Sequence, residues 1–164
     1  MNRVYLMRTN AADLSAAAWR LLEYIVGPLP ETAKSPHGKP FFPDKPELAF
    51  NLSHTAGAVV CAISDHPCGI DVEPVNRLVN RKIAGRFFTS REIAFATDSR
   101  RFLEVWTRKE ALIKRDGGIL RPMREIETIG HPQIKTQVQS RYIVSFCGKN
   151  PQFAIVEVEQ KRVL

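Results

Sequence analysis

Two hydrophobic periods alternate along this chain, and the points where one gives way to the other predict its elements. Val4 to Met7 is a short apolar run that reads as a strand. Leu14, Ala17, Ala18, Leu21, Leu22 and Ile25 then recur at helical spacing, with Trp19 and Val26 flanking that face, which predicts a helix over Leu14–Val26. Gly27-Pro28 stops it, and the segment to Pro46, rich in Pro and Lys, reads as an irregular loop carrying Gly38-Lys39-Pro40. Phe50 to Leu52 and Ala58 to Ile63 read as strands, the second too apolar for an exposed edge, and Asp65-His66-Pro67 turns the chain into a further strand from Gly69 to Glu73. Asn80 to Phe87 reads as helical. Thr89-Ser90-Arg91-Glu92 has the spacing of a capping box that opens another helix. A longer helix from about Arg101 to Arg115 stops at Asp116-Gly117-Gly118. Arg141 to Phe146 and Phe153 to Val158, joined around Gly148-Lys149-Asn150, read as a terminal antiparallel hairpin. With no strong repeat, low-complexity tract or long linker, the pattern predicts an α+β fold with helices packed on antiparallel sheets.

Composition narrows the class. At 164 residues, 44% hydrophobic and 25% charged, the chain can bury one full-sized core or two small ones that share an interface. Its 24 basic and 17 acidic side chains leave a net charge of +7, which favours a nucleic acid, a nucleotide or an acidic protein as partner without choosing among them. Cys61, Cys68 and Cys147 are odd in number and lack paired spacing, so neither a disulfide framework nor a zinc site is indicated, and a reducing cytoplasm fits. Asp13, Arg20 and Glu23 interrupt the apolar stretch near the N-terminus before a secretory core forms. No window approaches the roughly 20 apolar residues that a spanning helix needs. The expectation is a soluble, cytoplasmic protein with no membrane partner.

Chemistry concentrates in three segments. Residues two apart in a strand face the same side, so Ile70 and Val72 can enter a core while Asp71 and Glu73 project together. An isolated Asp-x-Glu is more often an ordinary half-exposed strand; a third carboxylate, Glu110, changes the odds. At about 100° per residue, Phe102, Leu103, Val105, Trp106, Leu112 and Ile113 define an apolar arc on the long helix, and Lys109 and Glu110 fall inside it. Buried charges need opposite charges or a bound ion, so this pair is either a structural salt bridge or part of a site. Lys114 lies at the edge of the arc, where a solvated surface lysine is equally consistent. A hard divalent cation prefers carboxylate oxygens and shares its coordination with substrate phosphates, a task that suits Asp71, Glu73 and Glu110. Lys109 and Lys114 are then the candidates to neutralise a departing phosphate. Ser53-His54 at a strand end offers a hydroxyl and an imidazole to phosphate oxygens, though such a pair alone is more often structural. The Lys39 loop is a weaker signal still. Glu92 reads first as the capping residue and only second as catalytic.

Taken together, Asn51-Leu52-Ser53-His54, Gly69-Ile70-Asp71-Val72-Glu73 and Trp106-x-x-Lys109-Glu110-Ala111-x-x-Lys114 closely resemble the Sfp-type 4'-phosphopantetheinyl transferases over about Gly38 to Gly118. The resemblance implies two similar α+β halves related by a pseudo-two-fold around a coenzyme A cleft, here residues 1–66 with the coenzyme A loop and 67–164 with the metal site. It implies that Asp71, Glu73 and Glu110 bind magnesium, or manganese, which these ligand types do not distinguish. It further implies that Lys39, Ser53, His54, Lys109 and Lys114 contact the nucleotide and phosphates of coenzyme A, with Glu110, Lys114 and Lys109 catalytic. Glu110 or a water on the metal would help deprotonate the serine of an apo acyl or peptidyl carrier protein. That serine would attack the phosphate bearing pantetheine and release adenosine 3',5'-bisphosphate. Family members usually carry a further basic helical segment between the first strand and the first helix. Here only Asn10 to Asp13 occupies that place, so the N-terminal half reads as shortened, and recognition of the 3'-phosphate would fall to Arg20 or another basic residue. Two rivals stand beside this reading: a relative that binds coenzyme A or a carrier protein without catalysing transfer, and a nucleic-acid-binding module. The second draws on charge alone, and most aromatics here sit in or beside apolar runs rather than interleaved with lysines.

Overall fold

A computed structural model describes residues 2–118 and 121–164. In chain order the elements are β1 (Asn2–Arg8), α1 (Leu14–Val26), β2 (Ala33–Lys34), β3 (Pro40–Phe41), β4 (Ala49–Thr55), β5 (Ala58–Ser64), β6 (Gly69–Pro74), α2 (Ala84–Phe87), α3 (Ser90–Phe95), α4 (Ser99–Asp116), β7 (Ile134–Gln139), β8 (Tyr142–Cys147) and β9 (Phe153–Val158), with short 3₁₀ turns between some of them. The fold is α+β. One sheet has the strand order β4-β5-β1-β9 and a second β6-β8-β7, while β2 and β3 form a two-stranded ribbon within the loop that follows α1.

β1 and β5 are apolar on both faces because both faces are covered. Val4, Leu6, Ala58, Val60 and Ala62 pack with Ile70, Val72, Tyr142, Val144 and Phe146 of the second sheet. On the opposite face Met7, Val59 and Cys61 meet Ala17, Ala18, Leu21 and Leu22 of α1. The second sheet is covered on its outer side by α4, whose Ala111, Leu112 and Ile113 pack with Cys147. The order of layers is therefore helix, sheet, sheet, helix. α1 is started by Asp13, whose Oδ1 accepts from Ala16 N. The capping box at Thr89 is complete, with Glu92 N donating to Thr89 Oγ1 and Thr89 N donating to Glu92 Oε2. α4 ends where Gly117 takes the left-handed conformation, φ 81°.

The terminal hairpin expected from the sequence does not form. β8 is already paired on both sides, by β6 and by β7, so it has no free edge. β9 instead crosses to the first sheet and runs parallel to β1, with Val4 opposite Ile155. β7 was not anticipated, because Ile134-Lys135-Thr136-Gln137-Val138-Gln139 carries too few apolar residues to stand out. A division at residue 66 falls between β5 and β6, yet β9 belongs to the sheet of the first half, so the two halves share a strand. Among the described residues no helix is long and apolar enough to cross a membrane.

Candidate functional site

β4 is an edge strand, and its side chains rather than its backbone reach the second sheet. Asn51, Ser53 and Thr55 lie two apart and share a face. Asn51 Oδ1 accepts from Ile70 N at 2.9 Å, Ser53 Oγ donates to Asp71 Oδ1 at 2.9 Å, and Thr55 Oγ1 donates to Glu73 Oε2 at 3.0 Å. This polar seam fixes two acidic side chains, 6% and 8% exposed, at the junction of the sheets. Ile70 and Val72 enter the shared core, as the alternation predicted.

α4 brings the remaining groups to the seam because its backbone lies directly on Gly69. A Cβ at residue 69 would stand 1.9 Å from Ala111 O and 2.5 Å from Arg115 N, so glycine is what permits the approach. Lys114 Nζ then reaches Asp71 Oδ1 at 2.7 Å and Ser53 Oγ at 2.9 Å. Glu110, one turn earlier, is half-buried on the same side. Burial pushes its carboxyl above the ordinary range, Asp71 and Glu73 add to that, and Lys114 opposes it. The Glu73 carboxyl is likewise raised by burial, against the pull of Arg77, whose Nη1 is paired with Glu73 Oε1.

Other expected residues fall elsewhere. Lys109 is not part of this seam: it is 0% exposed, its ammonium pairs with Glu92 Oε2 at 2.7 Å, and it donates to the carbonyls of Met123 and Ile126. Its sequence neighbour Glu110 is about 100° around the helix, which suffices to put the two in different surroundings. Lys39 is turned to backbone: Nζ donates to Cys68 O at 2.8 Å and Arg115 O at 2.9 Å, tying the β2–β3 loop to the last turn of α4. Burial lowers the pKa of its ammonium. His54 is exposed, on the face of β4 opposite Ser53. Sequence reasoning left out Thr55 and Arg77; the alternation Asn51, Ser53, Thr55 carried the signal for the first, and nothing local did for the second.

Two adjoining hollows open beside the seam. One, about 290 Å³, is lined by His37, Lys39, Asn51, Leu52, Lys114 and Gly117 among others. The other, about 440 Å³, is lined by Phe41, Phe42, Lys45, Phe50 and Arg115 among others. Lys39 borders both. An aromatic and basic trough thus runs up to Asn51 and Lys114 at the edge of the seam, an arrangement suited to a nucleotide whose phosphates point at the seam.

Residues 67–162 match the model of the 4'-phosphopantetheinyl transferase superfamily. The chain belongs to this family. Among transferases with similar sequences, it is 31% identical over 140 residues to 4'-phosphopantetheinyl transferase Sfp of Bacillus subtilis (strain 168), a match over 71% of this chain and 62% of that protein. It is 40% identical over 90 residues to 4'-phosphopantetheinyl transferase gsp of Aneurinibacillus migulanus, covering 51% of this chain and 37% of that one. It is 36% identical over 106 residues to 4'-phosphopantetheinyl transferase AcpT of Salmonella typhi, covering 60% and 55% respectively. The chain covers less than two thirds of the length of each of these relatives.

The donor chemistry of this transferase-family site fits a hard divalent cation. Asp71 Oδ2 is buried and has no hydrogen-bond partner, the one such side-chain atom among the described residues. Carboxylate oxygens are the ligands such an ion takes. Even so, no three His, Cys, Asp or Glu side chains among the described residues are gathered into a ready metal cluster. Lys114 and Arg77 already hold one oxygen each of Asp71 and Glu73.

Proposed function

We propose that this chain transfers the 4'-phosphopantetheine group of coenzyme A to a serine of an apo acyl or peptidyl carrier protein and releases adenosine 3',5'-bisphosphate. The observation that carries the proposal is the pairing of Lys114 with Asp71 beside Glu73 at the seam of the two sheets, with Glu110 one helical turn away on the same side, next to a trough with aromatic and basic walls. Names of the similar proteins support the same reaction class.

Asp71, Glu73 and Glu110 would hold magnesium or manganese, which when bound neutralises charge on the pyrophosphate. The serine oxygen of the carrier attacks the phosphorus bearing pantetheine, and the bond from that phosphorus to the bridging oxygen of the nucleotide phosphate breaks. Glu110 accepts the serine proton; burial and the neighbouring Asp71 and Glu73 raise its pKa, which favours proton uptake. Lys114 stabilises the departing phosphate electrostatically. Ser53 holds Asp71, Lys39 keeps the loop of the trough against α4, and His54, exposed on β4 and in the lining of neither hollow, is the candidate donor to an outer phosphate. Lys109 serves here as a positioning residue. Between Glu73 and Glu92 the chain carries Arg77, Arg81, Lys82, Arg86 and Arg91 and no acidic residue, with Leu78 97% exposed. That surface complements an acidic carrier.

The test is intact-protein mass spectrometry of an apo acyl carrier protein and an apo peptidyl carrier protein, each incubated with coenzyme A, magnesium and this protein. A phosphopantetheine mass added by the wild type and lost with Glu110→Gln is the expected result. Binding of coenzyme A without transfer to either carrier would favour the non-catalytic relative, and no binding would overturn the reading.

A further inference from the structure

The oxygens of Asp71 are unequally served. Oδ1 accepts from both Ser53 Oγ and Lys114 Nζ, while Oδ2 is buried without a partner. Asp71 itself is fixed, since its backbone lies within the β6–β8 ladder opposite Ser145 and its side chain is pinned by Ser53. Lys114 is the mobile member of the pair. It stands on a flexible four-carbon stem in the last turn of α4, its side chain is 29% exposed, and it lines the smaller hollow with Asn51, Leu52 and Gly117. An ammonium leaving Asp71 therefore has a place to go, and that place is where the phosphates of a nucleotide would lie. Arg77, the other cation of the seam, is bound to Glu73 from the loop after β6 and does not border the hollow.

A divalent cation at Asp71 and an ammonium on the same carboxylate repel each other, so the two cannot both keep their contacts at full strength. We propose that Lys114 is a tethered counter-ion that competes with the divalent cation for Asp71, and that a pyrophosphate in the hollow, by drawing the ammonium away, opens Asp71 to the metal. Metal and coenzyme A then bind with positive coupling, and by linkage each strengthens the other by the same factor. The inference rests on the metal and pyrophosphate reading of the site, and goes beyond it in assigning Lys114 two successive partners.

The first test needs no catalysis. Manganese binding to the folded protein, followed by paramagnetic resonance in the absence of coenzyme A, should be at least tenfold tighter for Lys114→Met than for the wild type, whereas Lys114→Arg, which keeps the charge, should stay near the wild type. The second uses the wild type alone: an amine-reactive reagent, with the modified peptide quantified by mass spectrometry, should label Lys114 several-fold faster once manganese is added, because the metal expels the ammonium into the open hollow. Weaker or equal manganese binding by Lys114→Met, or labelling that manganese leaves unchanged or slows, overturns the competition while leaving the site reading intact. Failure of wild type and variant alike to bind manganese, even with coenzyme A present, overturns both.

Discussion

Helix α4 carries two lysine–carboxylate pairs at the same separation, 2.7 Å, and they serve different ends. Lys109 and Glu92 are both 0% exposed, and their bonds are complete: Lys109 uses its three donors on Glu92, Met123 O and Ile126 O, while Glu92 also accepts from Thr89 N, Thr128 N and Thr128 Oγ1. Lys114 and Asp71 lie at the edge of a hollow, and one oxygen of Asp71 has no partner. A saturated pair can only hold α3, α4 and the 123–128 segment together. An unsaturated one next to two further carboxylates retains binding capacity, at the cost of crowding like charges.

The comparison breaks most sharply at Glu110. Removing its charge with Glu110→Gln should lower the transfer rate by about 10²- to 10⁴-fold, the usual weight of a general base. The melting temperature should stay level or rise, because burial and the neighbouring carboxylates already disfavour that charge; calorimetry beside the transfer assay checks both halves. At the sealed pair the expectation is reversed. Lys109→Met leaves Glu92 buried and unpaired and should cost about 3–5 kcal/mol of stability in urea unfolding. Adding Glu92→Gln, which removes the stranded charge and keeps an acceptor oxygen for its backbone donors, should return part of that loss, whereas no pairing of Lys114→Met with Asp71→Asn should return transfer.

Gly69→Ala should disturb both regions at once, since its Cβ would meet Ala111 O at 1.9 Å and push α4 off β6. A loss of about 1–3 kcal/mol, typical of overpacking, should accompany slowed transfer. The smallest effect is in pH. Glu73 and Glu110 have folded pKa values above the ordinary 4.5, so in the window just above it the folded protein holds more protons than the unfolded chain. Their contribution to stability is therefore greatest below that window and is lost as pH rises through it, while transfer rises as Glu110 ionises. Urea midpoints in chelator-containing buffer and the rate profile should run in opposite directions, and the part of each slope due to Glu110 should vanish in Glu110→Gln.

Much of this was legible in the sequence, for reasons tied to period and punctuation. α1 and the start of α3 followed from apolar spacing and from the Thr89 capping box, and the shared face of Asp71 and Glu73 followed from the two-residue repeat of a strand. The pairing of β9 with β1 was not legible, because which edge a strand joins depends on which edges other strands have already taken. Lys109 went astray for a related reason: helical periodicity places a residue on a face and says nothing of the partner across it. Glu92 was visible as a capping residue, but its second task, neutralising Lys109, depends on α3 docking against α4. Lys39, too, was visible as a basic residue in a loop and invisible as a donor to the end of α4.

The most direct test of the division between the two pairs is the rate at which holo carrier protein appears with Lys109→Met and with Lys114→Met, each at a temperature where circular dichroism shows the variant folded. Folded Lys109→Met should keep transfer within about tenfold of the wild type, while Lys114→Met should lose at least about 100-fold, in the range found when one donor to a transition-state charge is removed. Equal losses in the two folded variants would contradict the account and return the Lys109 ammonium to the phosphate site.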